Sequence, residues 1–194
     1  NGENTSSSVP VRVKGPYGEG FLSYIVDIDC GFSHNIALKS DGTLWSWGNN
    51  YFGQLGDGTI ENRNTPVEVR GPDEIGLMSD VINIDAGAYS SIALKKDGTV
   101  WTWGKNDSGE LGDGTKIIRY SPVQVKGANN ETFIKDVIAI SMGGYHTIAL
   151  KNDGTLWSWG GNYSCQLGDS SSTNRLTPVQ VRAPARLDSY LYLW

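Results

Sequence analysis

The sequence has few of the residues on which several classes of protein depend. Its 194 residues include only two cysteines, two histidines and two methionines. The cysteines, Cys30 and Cys165, stand far apart at unrelated places in the sequence pattern. This is not the spacing of a disulfide framework, so we expect both thiols to be free.

Runs of basic residues and long apolar runs are also missing. The net charge is −5, and lysines and arginines are scattered along the chain. Because binding to a phosphate backbone needs a basic face, we predict no nucleic-acid partner. No apolar run approaches the roughly 18 residues that a membrane-spanning helix needs, so we predict no membrane partner.

Sequence motifs of common enzymes are absent too. The chain contains no Gly-x-Ser-x-Gly, no His-Glu-x-x-His and no phosphate-cradling glycine loop. We therefore predict that the protein is not an enzyme and that it uses no cofactor and no metal. The first residues, NGENTSSSVP, contain neither methionine nor an apolar signal core. We expect a processed or excised product, and a secreted or bacterial cell-surface location is favoured over the cytoplasm.

The chain does contain a long internal repeat. The stretch SDGTLWSWGNNYFGQLGDGT returns as KDGTVWTWGKNDSGELGDGT and again as NDGTLWSWGGNYSCQLGDSS. Trp45, Trp101 and Trp157 are each 56 residues apart. A fixed period of this length indicates a solenoid, a propeller or a comparable array.

Each unit contains four short segments that are typical of strands. In the second unit they are PVEV, VINI, SIALK and TVWTWG, in that order, at residues 66–69, 81–84, 91–95 and 99–104. Asp97 and Gly98 separate the last two and predict a hairpin with a two-residue type I′ turn. Apolar side chains occupy both faces of these strands, with Ile92 on one side and Ala93 on the other.

A small sheet that is covered on both faces by copies of itself is a propeller blade. The predicted fold is therefore all-β, a β-propeller of three four-stranded blades. We interpret the Trp-x-Trp pairs as structural core between blades, and a sugar-stacking platform is the alternative.

The repeats resemble those of the regulator of chromosome condensation family. The matching residues in the first unit begin with Gly31, His34, Ala37 and Leu38, continue through residues 41–48, and end with NYFGQLG at residues 50–56. The resemblance covers residues 9–182 and is closer to bacterial members than to the nuclear exchange factor. It implies a propeller that serves as an interaction platform.

Departures from the family pattern limit the chemistry that can be proposed. His34 and His146 match the family histidine, but the second unit has Ser90, so we expect structural hydrogen bonds rather than a metal site. The family glycine of the polar loop becomes Cys165 in the third unit. If that position needs a positive φ, Cys165 is strained or its loop differs.

A carboxylate and an arginine recur six residues apart in every unit. The pairs are Asp57 with Arg63, Asp113 with Arg119, and Asp169 with Arg175. We interpret each pair as a clamp on its long polar loop. A calcium site is the alternative, although the loops lack alternating oxygen ligands.

Binding residues are expected where the units differ, because the shared positions are explained by the fold. The candidates are loop aromatics, which are common interface anchors: Phe32, Tyr51, Phe52, Tyr89, Tyr145 and Tyr163. Ordinary loop packing is the alternative. The predicted function is a protein-interaction scaffold with an unidentified protein partner. An enzyme inhibitor similar to the secreted β-lactamase inhibitor is the alternative, and guanine-nucleotide exchange and glycan binding rank lower.

Three blades do not close a ring, since closed propellers have roughly four to eight. One hypothesis is a homodimer whose two copies form a six-bladed ring, and the other is an excised part of a longer propeller. The predicted organisation is a disordered segment at residues 1–8, the three-repeat domain at 9–182 and an apolar tail at 183–194. The candidate self-association residues come from the head, the last repeat and the tail: Val11, Val13, Val179, Val181, Tyr190, Leu191, Leu193 and Trp194. The tail is expected either to dock on a blade face or a neighbouring subunit, or to be an altered chain end, and both interpretations are left open.

Overall fold

The computed structural model describes Gly2, Glu3, residues 5–130 and residues 132–182. They contain twelve strands and three 3-10 turns. The strands form three four-stranded antiparallel sheets, in the spatial orders β1-β2-β3-β4, β5-β6-β7-β8 and β9-β10-β11-β12. Their bounds are β1 Ile25–Cys30, β2 His34–Lys39, β3 Leu44–Gly48, β4 Arg63–Glu68, β5 Val81–Ala86, β6 Ser90–Lys95, β7 Val100–Gly104, β8 Arg119–Gln124, β9 Val137–Met142, β10 His146–Lys151, β11 Leu156–Gly160 and β12 Arg175–Gln180. The 3-10 turns are Pro16–Gly18, Pro72–Glu74 and Ala128–Asn130.

Each sheet is one blade, which confirms the all-β prediction of three four-stranded blades. In the second blade Ala93 pairs with Ile84 on one side and with Trp101 on the other. β-branched and aromatic residues fill these strands, as suits a pleated and buried surface. The second blade therefore forms from one contiguous stretch of 44 residues, from Val81 to Gln124.

The boundaries of the blades differ from the predicted ones. The segment PVEV was predicted as the first strand of its unit, but Val67 pairs with Ser46 and belongs to the outer strand β4 of the first blade. Likewise Val179 pairs with Ser158 on the outer strand of the third blade. The reason is that the hydrophobic pattern of a repeat is the same wherever the unit is taken to start. Only hydrogen bonding shows which strand closes a blade.

The predicted turn type was also wrong. The amide of Gly98 donates to the carbonyl of Lys95, and Lys95 N donates to Thr99 O, which gives a three-residue loop. Gly98 has φ +77°, whereas Asp97 keeps a negative φ. The Asp97 carboxylate accepts bonds from the amide and hydroxyl of Thr99, at 3.0 and 2.6 Å, and this holds a type I turn followed by a left-handed glycine.

The hydrophobic core lies between the blades rather than within one of them. At the first junction Ile36, Leu38 and Leu44 of blade one pack against the second blade, which contributes Val81, Ile84, Ala93 and Trp103. The second junction repeats this arrangement. Burying one tryptophan removes about 150–250 Å² from water, which stabilises the chain by about 4–6 kcal/mol as an upper bound.

In the second and third units the second tryptophan of the pair has the predicted structural role. Trp103 and Trp159 are fully buried. The indole N–H of Trp103 donates to the carbonyl of Gln54 in the preceding blade at 2.9 Å, and Trp159 donates to the carbonyl of Glu110 at 3.0 Å. Because these rings are enclosed, they cannot serve as a sugar-stacking platform.

The remaining predictions about the chain ends are reported by position. Val11 is exposed and Val13 is half-buried, and both precede the first blade without entering a named strand. The disorder predicted for residues 1–8 stays a prediction, although the Asn64 side chain donates to Gly2 O at 3.0 Å. Tyr190, Leu191, Leu193 and Trp194 lie outside the described residues.

Candidate functional site

All the long polar loops emerge at one end of the blades. Strands alternate in direction, so the β1–β2 and β3–β4 connections of each blade share an end, and the Asp-Gly turns lie at the other. We call the end with the long polar loops the loop face. It comprises residues 31–33, 49–62, 87–89, 105–118, 143–145 and 161–174.

Four predicted aromatic residues pack together on the loop face. The ring of Tyr89 lies 5.8 Å from Phe32 and 5.3 Å from Phe52, and Tyr51 stands edge-on to Phe52 at 5.0 Å. Such tilted and edge-to-face contacts are favoured between aromatic rings. We call these four residues the aromatic cluster. It joins loops of the first and second blades and leaves Phe32 and Tyr51 largely exposed.

Lys105 connects a fifth predicted residue to the cluster. Its ammonium lies 5.2 Å from the Phe52 ring and 5.6 Å from each of Tyr89 and Tyr145. These are cation–π distances. The ammonium also forms an ion pair with Asp107 at 3.2 Å. Lys105 therefore holds loops from all three blades in one arrangement.

Tyr163 is the predicted aromatic that the structure keeps apart. It is 81% exposed, and within the described residues its ring contacts no other aromatic. Tyr163 is the third-unit counterpart of Tyr51. The third unit has Ser164 where the first unit has Phe52, the ring that Tyr51 contacts.

An apolar hollow of about 410 Å³ borders the aromatic cluster. Phe32 and Tyr145 line it, together with mainly small residues at or just beyond the ends of β1, β5 and β9, which we call the inner strands. A Cβ on Gly31 would come within 2.5 Å of the carbonyl oxygen of Gly87, and one on Gly87 within 2.7 Å of the carbonyl oxygen of Gly143. Glycine is thus required for the inner loops to approach one another.

The predicted aspartate–arginine clamps are confirmed in all three units. Arg63 contacts Asp57 with two nitrogens at 2.8 Å, and the same pairing recurs in the other loops. Burial alone would raise the pKa of Asp57, but hydrogen bonds from Thr59 and Arg63 hold it below its usual value. The carboxylate is therefore charged and engaged, which favours the clamp over a calcium site.

The asparagine near the start of each polar loop has a structural role that was not predicted from the sequence. Asn50 is fully buried. Its side-chain nitrogen Nδ2 donates to the Asp57 carboxylate at 3.0 Å, and its side-chain oxygen Oδ1 accepts from the backbone amide of Leu55 at 2.9 Å. Asn106 and Asn162 repeat the arrangement. The signal was present, because these asparagines recur at the 56-residue period.

The departures of the third unit preserve the loop backbone. Cys165 has φ +59°, where Gly53 and Gly109 have +74° and +85°. Ser170 takes the left-handed conformation of Gly58 with φ +65°. Cys165 is thus the strained residue that the sequence suggested, and its loop does not differ. Both cysteines are free, as predicted, and both are exposed.

The two histidines lie below the loop face. His34 is buried, and its Nε2 lies 2.9 Å from the hydroxyl of Ser91 in the next blade. Burial lowers the pKa of His34 to about 4, so the ring is neutral near pH 7. This contact supports the predicted structural role for His34. Burial also lowers the pKa of His146.

A pair of carboxylates that the sequence analysis missed lies on the inner strands. The amide of Ala86 donates to Asp29 at 2.6 Å, and that of Met142 donates to Asp85 at 2.8 Å. Each aspartate therefore links its inner strand to that of the next blade. Burial and a hydrogen bond that the protonated Asp85 carboxyl donates to Asp29 raise the pKa of Asp85 to about 6.

Comparison with known families assigns the chain. Two models described as the regulator of chromosome condensation (RCC1) repeat match it, one at residues 41–94, 97–150 and 153–188, and the other at 25–54, 81–110 and 137–166. The chain belongs to the RCC1 repeat family. That it is closer to bacterial members than to others stays a prediction.

Relatives are much longer than this chain. It is 35% identical to human E3 ubiquitin-protein ligase HERC2 over 161 residues, which is 82% of the chain and 3% of that protein. It is 31% identical to the ultraviolet-B receptor UVR8 of Arabidopsis thaliana over 182 residues, which is 94% of the chain and 39% of the receptor. The chain thus spans less than half of either relative.

Solved structures agree with the fold. Yeast RCC1 (Prp20) bound to Kap60 matches with a TM-score of 0.70 and 24% identity, over 84% of this chain and 38% of that one. Prp20p from Saccharomyces cerevisiae, described with its binding to Gsp1p and histones, matches with a TM-score of 0.68 and 25% identity, over 84% and 39%. In the part of our chain that is described, no helix has the length and apolarity needed to cross a membrane.

Proposed function

We propose that this RCC1-repeat chain is a protein-binding module that engages its partner through the aromatic cluster of the loop face. The observation that carries the proposal is the meeting of Phe32, Tyr51, Phe52 and Tyr89 beside an apolar hollow. Rings that already pack against one another lose little conformational freedom on binding, so they are suited to be anchors.

The charges of the loop face favour a protein over a nucleic acid. The three loop aspartates are neutralised by their arginines, and Lys105 is paired with Asp107. Among the exposed charged side chains of the described loops, Glu61 and Lys116 are left without an ion pair. A face with so little net charge gives phosphates weak attraction. Absence of nucleic-acid binding nevertheless stays a prediction.

The solved relatives support a protein partner. Yeast RCC1 has been crystallised with the protein Kap60, and Prp20p is described as binding Gsp1p and histones. The ligase activity in the name of HERC2 refers to a protein of which this chain matches 3%. We therefore infer protein binding from the family and propose no enzymatic activity for these repeats.

Binding through the cluster can be tested with a library of phage-displayed random peptides selected on the wild-type chain. Selected peptides should bind the variant Phe32→Ala/Phe52→Ala/Tyr89→Ala at least about tenfold more weakly, because the anchors are removed. Ile75→Ala is the matched control, since Ile75 is an exposed apolar residue at the opposite end. Peptides that bind the triple variant as well as the wild-type chain would refute the proposal.

An enzyme inhibitor would be a special case of the same function, because an inhibitor also binds a protein with its loops. The aromatic cluster and Tyr145 are the residues that would enter an active site. Inhibition of a β-lactamase by excess chain, and its loss in the triple variant, would support this alternative. Guanine-nucleotide exchange stays a weaker hypothesis, since the three near-equal units have no loop insertion.

We also propose that the chain associates with itself through the two outer faces of its blade stack. Ile28 on the first blade is 66% exposed, whereas its second-blade counterpart Ile84 is 5% exposed. On the third blade Leu156 is 43% exposed, whereas Val100 is fully buried. Covering such apolar faces is favourable, and sedimentation of the intact chain tests whether they are covered by another copy.

A further inference from the structure

The two junctions between blades have a common direction. The earlier blade contributes a surface of isoleucine and leucine, such as Ile36, Leu38 and Leu44, which we call the Leu flank. The later blade contributes a surface centred on its buried tryptophan, such as Trp103, which we call the Trp flank. The described chain leaves one flank of each kind uncovered, namely the Trp flank of blade one and the Leu flank of blade three.

The uncovered flanks carry matching hydrogen-bonding groups. At the internal junctions the indole of Trp103 donates to Gln54 O, and that of Trp159 donates to Glu110 O. By the repeat, the counterparts on the open flanks are the Trp47 indole and the Gln166 carbonyl. Within the described residues neither of these two groups has a hydrogen-bonding partner.

At the end of the blades opposite the loop face, the edges of the open flanks match in the same way. The amide of Val81 donates to Gly42 O at 3.2 Å, and a Cβ on Gly42 would lie 3.2 Å from the amide nitrogen of Asp80 in the next blade. Gly154 is the counterpart of Gly42 on the third blade, and a Cβ there would meet nothing within 4 Å. The amide that should face Gly154 O belongs to Ile25, on the open Trp flank.

We propose that the Leu flank of one copy binds the Trp flank of a second copy in the register of the internal junctions. This inference rests on the self-association proposed above and names its geometry. The contact is heterologous, with a different surface from each copy, and two such contacts can close a two-copy ring. It continues an interface that the chain already forms twice.

Two residues make the contact between copies weaker than the internal junctions. A Cβ on Gly53 would lie 2.7 Å from the Tyr120 Cα of the next blade, and a Cβ on Gly109 would lie 3.0 Å from the Leu176 Cα. The third unit has Cys165 at this position, so the backbone of the second copy must move away from its Cβ. Ser141 also replaces the carboxylate that Asp29 and Asp85 present to the next inner strand.

Charge insertion tests the direction of the contact. Leu156→Arg blocks the Leu flank and Ile28→Arg blocks the Trp flank, and both positions are exposed within the single chain. In sedimentation experiments the wild-type chain should exceed its monomer mass of 21.1 kDa, and each variant alone should stay monomeric. An equal mixture should form dimers, because the Ile28→Arg copy keeps its Leu flank and the Leu156→Arg copy keeps its Trp flank.

Further variants provide the controls. Tyr163→Arg places the same charge on the loop face and should associate like the wild-type chain. Cys165→Gly should tighten the mixed dimer about tenfold, because it removes the obstructing Cβ. A monomeric wild-type chain at all concentrations would refute self-association itself. Association of the wild-type chain that survives in either flank variant, or a monomeric mixture even with Cys165→Gly, would refute the heterologous geometry alone.

Discussion

The carboxylate pair on the inner strands predicts an unusual dependence of stability on pH. Asp29 and Asp85 are hydrogen-bonded through their side chains, and backbone amides donate to both. Two hydrogen-bonded carboxyl groups share one proton more readily than they carry two charges. Burial, followed by the contact with Asp29, raises the pKa of Asp85 to about 6. Burial also acts to raise the pKa of Asp29, but the hydrogen bonds lower it overall.

The sign follows from the raised pKa. Asp85 has a higher pKa in the folded chain than its ordinary 3.8, so the folded state binds the proton more tightly. Its contribution to the free energy of unfolding is complete below about pH 4 and is lost as the pH rises through 6. The rise of this pKa from 3.8 to about 6 corresponds to about 3 kcal/mol, and because Asp85 is only partly buried, solvent screening reduces this to about 1 kcal/mol.

The variant Asp85→Asn removes the titration while its amide still donates to Asp29. Urea denaturation of both proteins should show the variant gaining about 1 kcal/mol relative to the wild-type chain between about pH 5 and pH 7. Aspartates such as Asp57, whose pKa is lowered, make both proteins less stable on acidification, and this effect cancels in the difference between them. The control is Asp136→Asn, at an exposed left-handed position that asparagine also adopts. A difference that does not change with pH would refute the shared proton.

Three further substitutions test the loops and junctions by urea denaturation. Arg119→Met should lower the free energy of unfolding by about 2–3 kcal/mol, because it leaves the Asp113 carboxylate buried without its cation. Recovery of stability in Arg119→Met/Asp113→Asn would show that the charge is the cause, and an unchanged stability in Arg119→Met would contradict the clamp. Trp103→Phe keeps an aromatic ring but loses the hydrogen bond to the preceding blade, and should cost about 1–3 kcal/mol. Gly109→Ala should destabilise the chain by at least about 1 kcal/mol more than Gly154→Ala, since both have a positive φ but only Gly109 faces the next blade closely; equal losses would rule out that close contact.

The fold could be predicted from the sequence because the repeat supplies the same information three times. The apolar residues on both faces of SIALK required a neighbour on each side, and Ile92 and Ala93 do lie in different junctions. The start of the blade could not be derived in this way. A periodic pattern reads identically from any starting strand, and only the pairing of Val67 with Ser46 reveals that β4 closes a blade.

The candidate site was predictable only in part. The positions of the loop aromatics followed from the alternation of strands, because every β1–β2 and β3–β4 connection lies at one end. Their contacts did not follow, since Phe52 reaches Tyr89 across a junction whereas Tyr163 reaches no other ring among the described residues. Lys105 differs from its counterparts Asn49 and Gly161, but its cation–π contacts depend on how three blades come together.

The consequences of substitutions that break the repeat can be derived only from the geometry of the junctions. In the sequence, Cys165 is one cysteine where two other units have glycine, and the strain of a positive φ was its expected consequence. The structure adds a second consequence, because Gly53 and Gly109 each lie against the backbone of the following blade. Cys165 faces no following blade within the described chain, so its Cβ obstructs nothing there. Beyond the strain of its positive φ, the side chain of Cys165 therefore adds a steric cost only when another Trp flank docks. This makes the third blade the place where association is weakest and most easily strengthened.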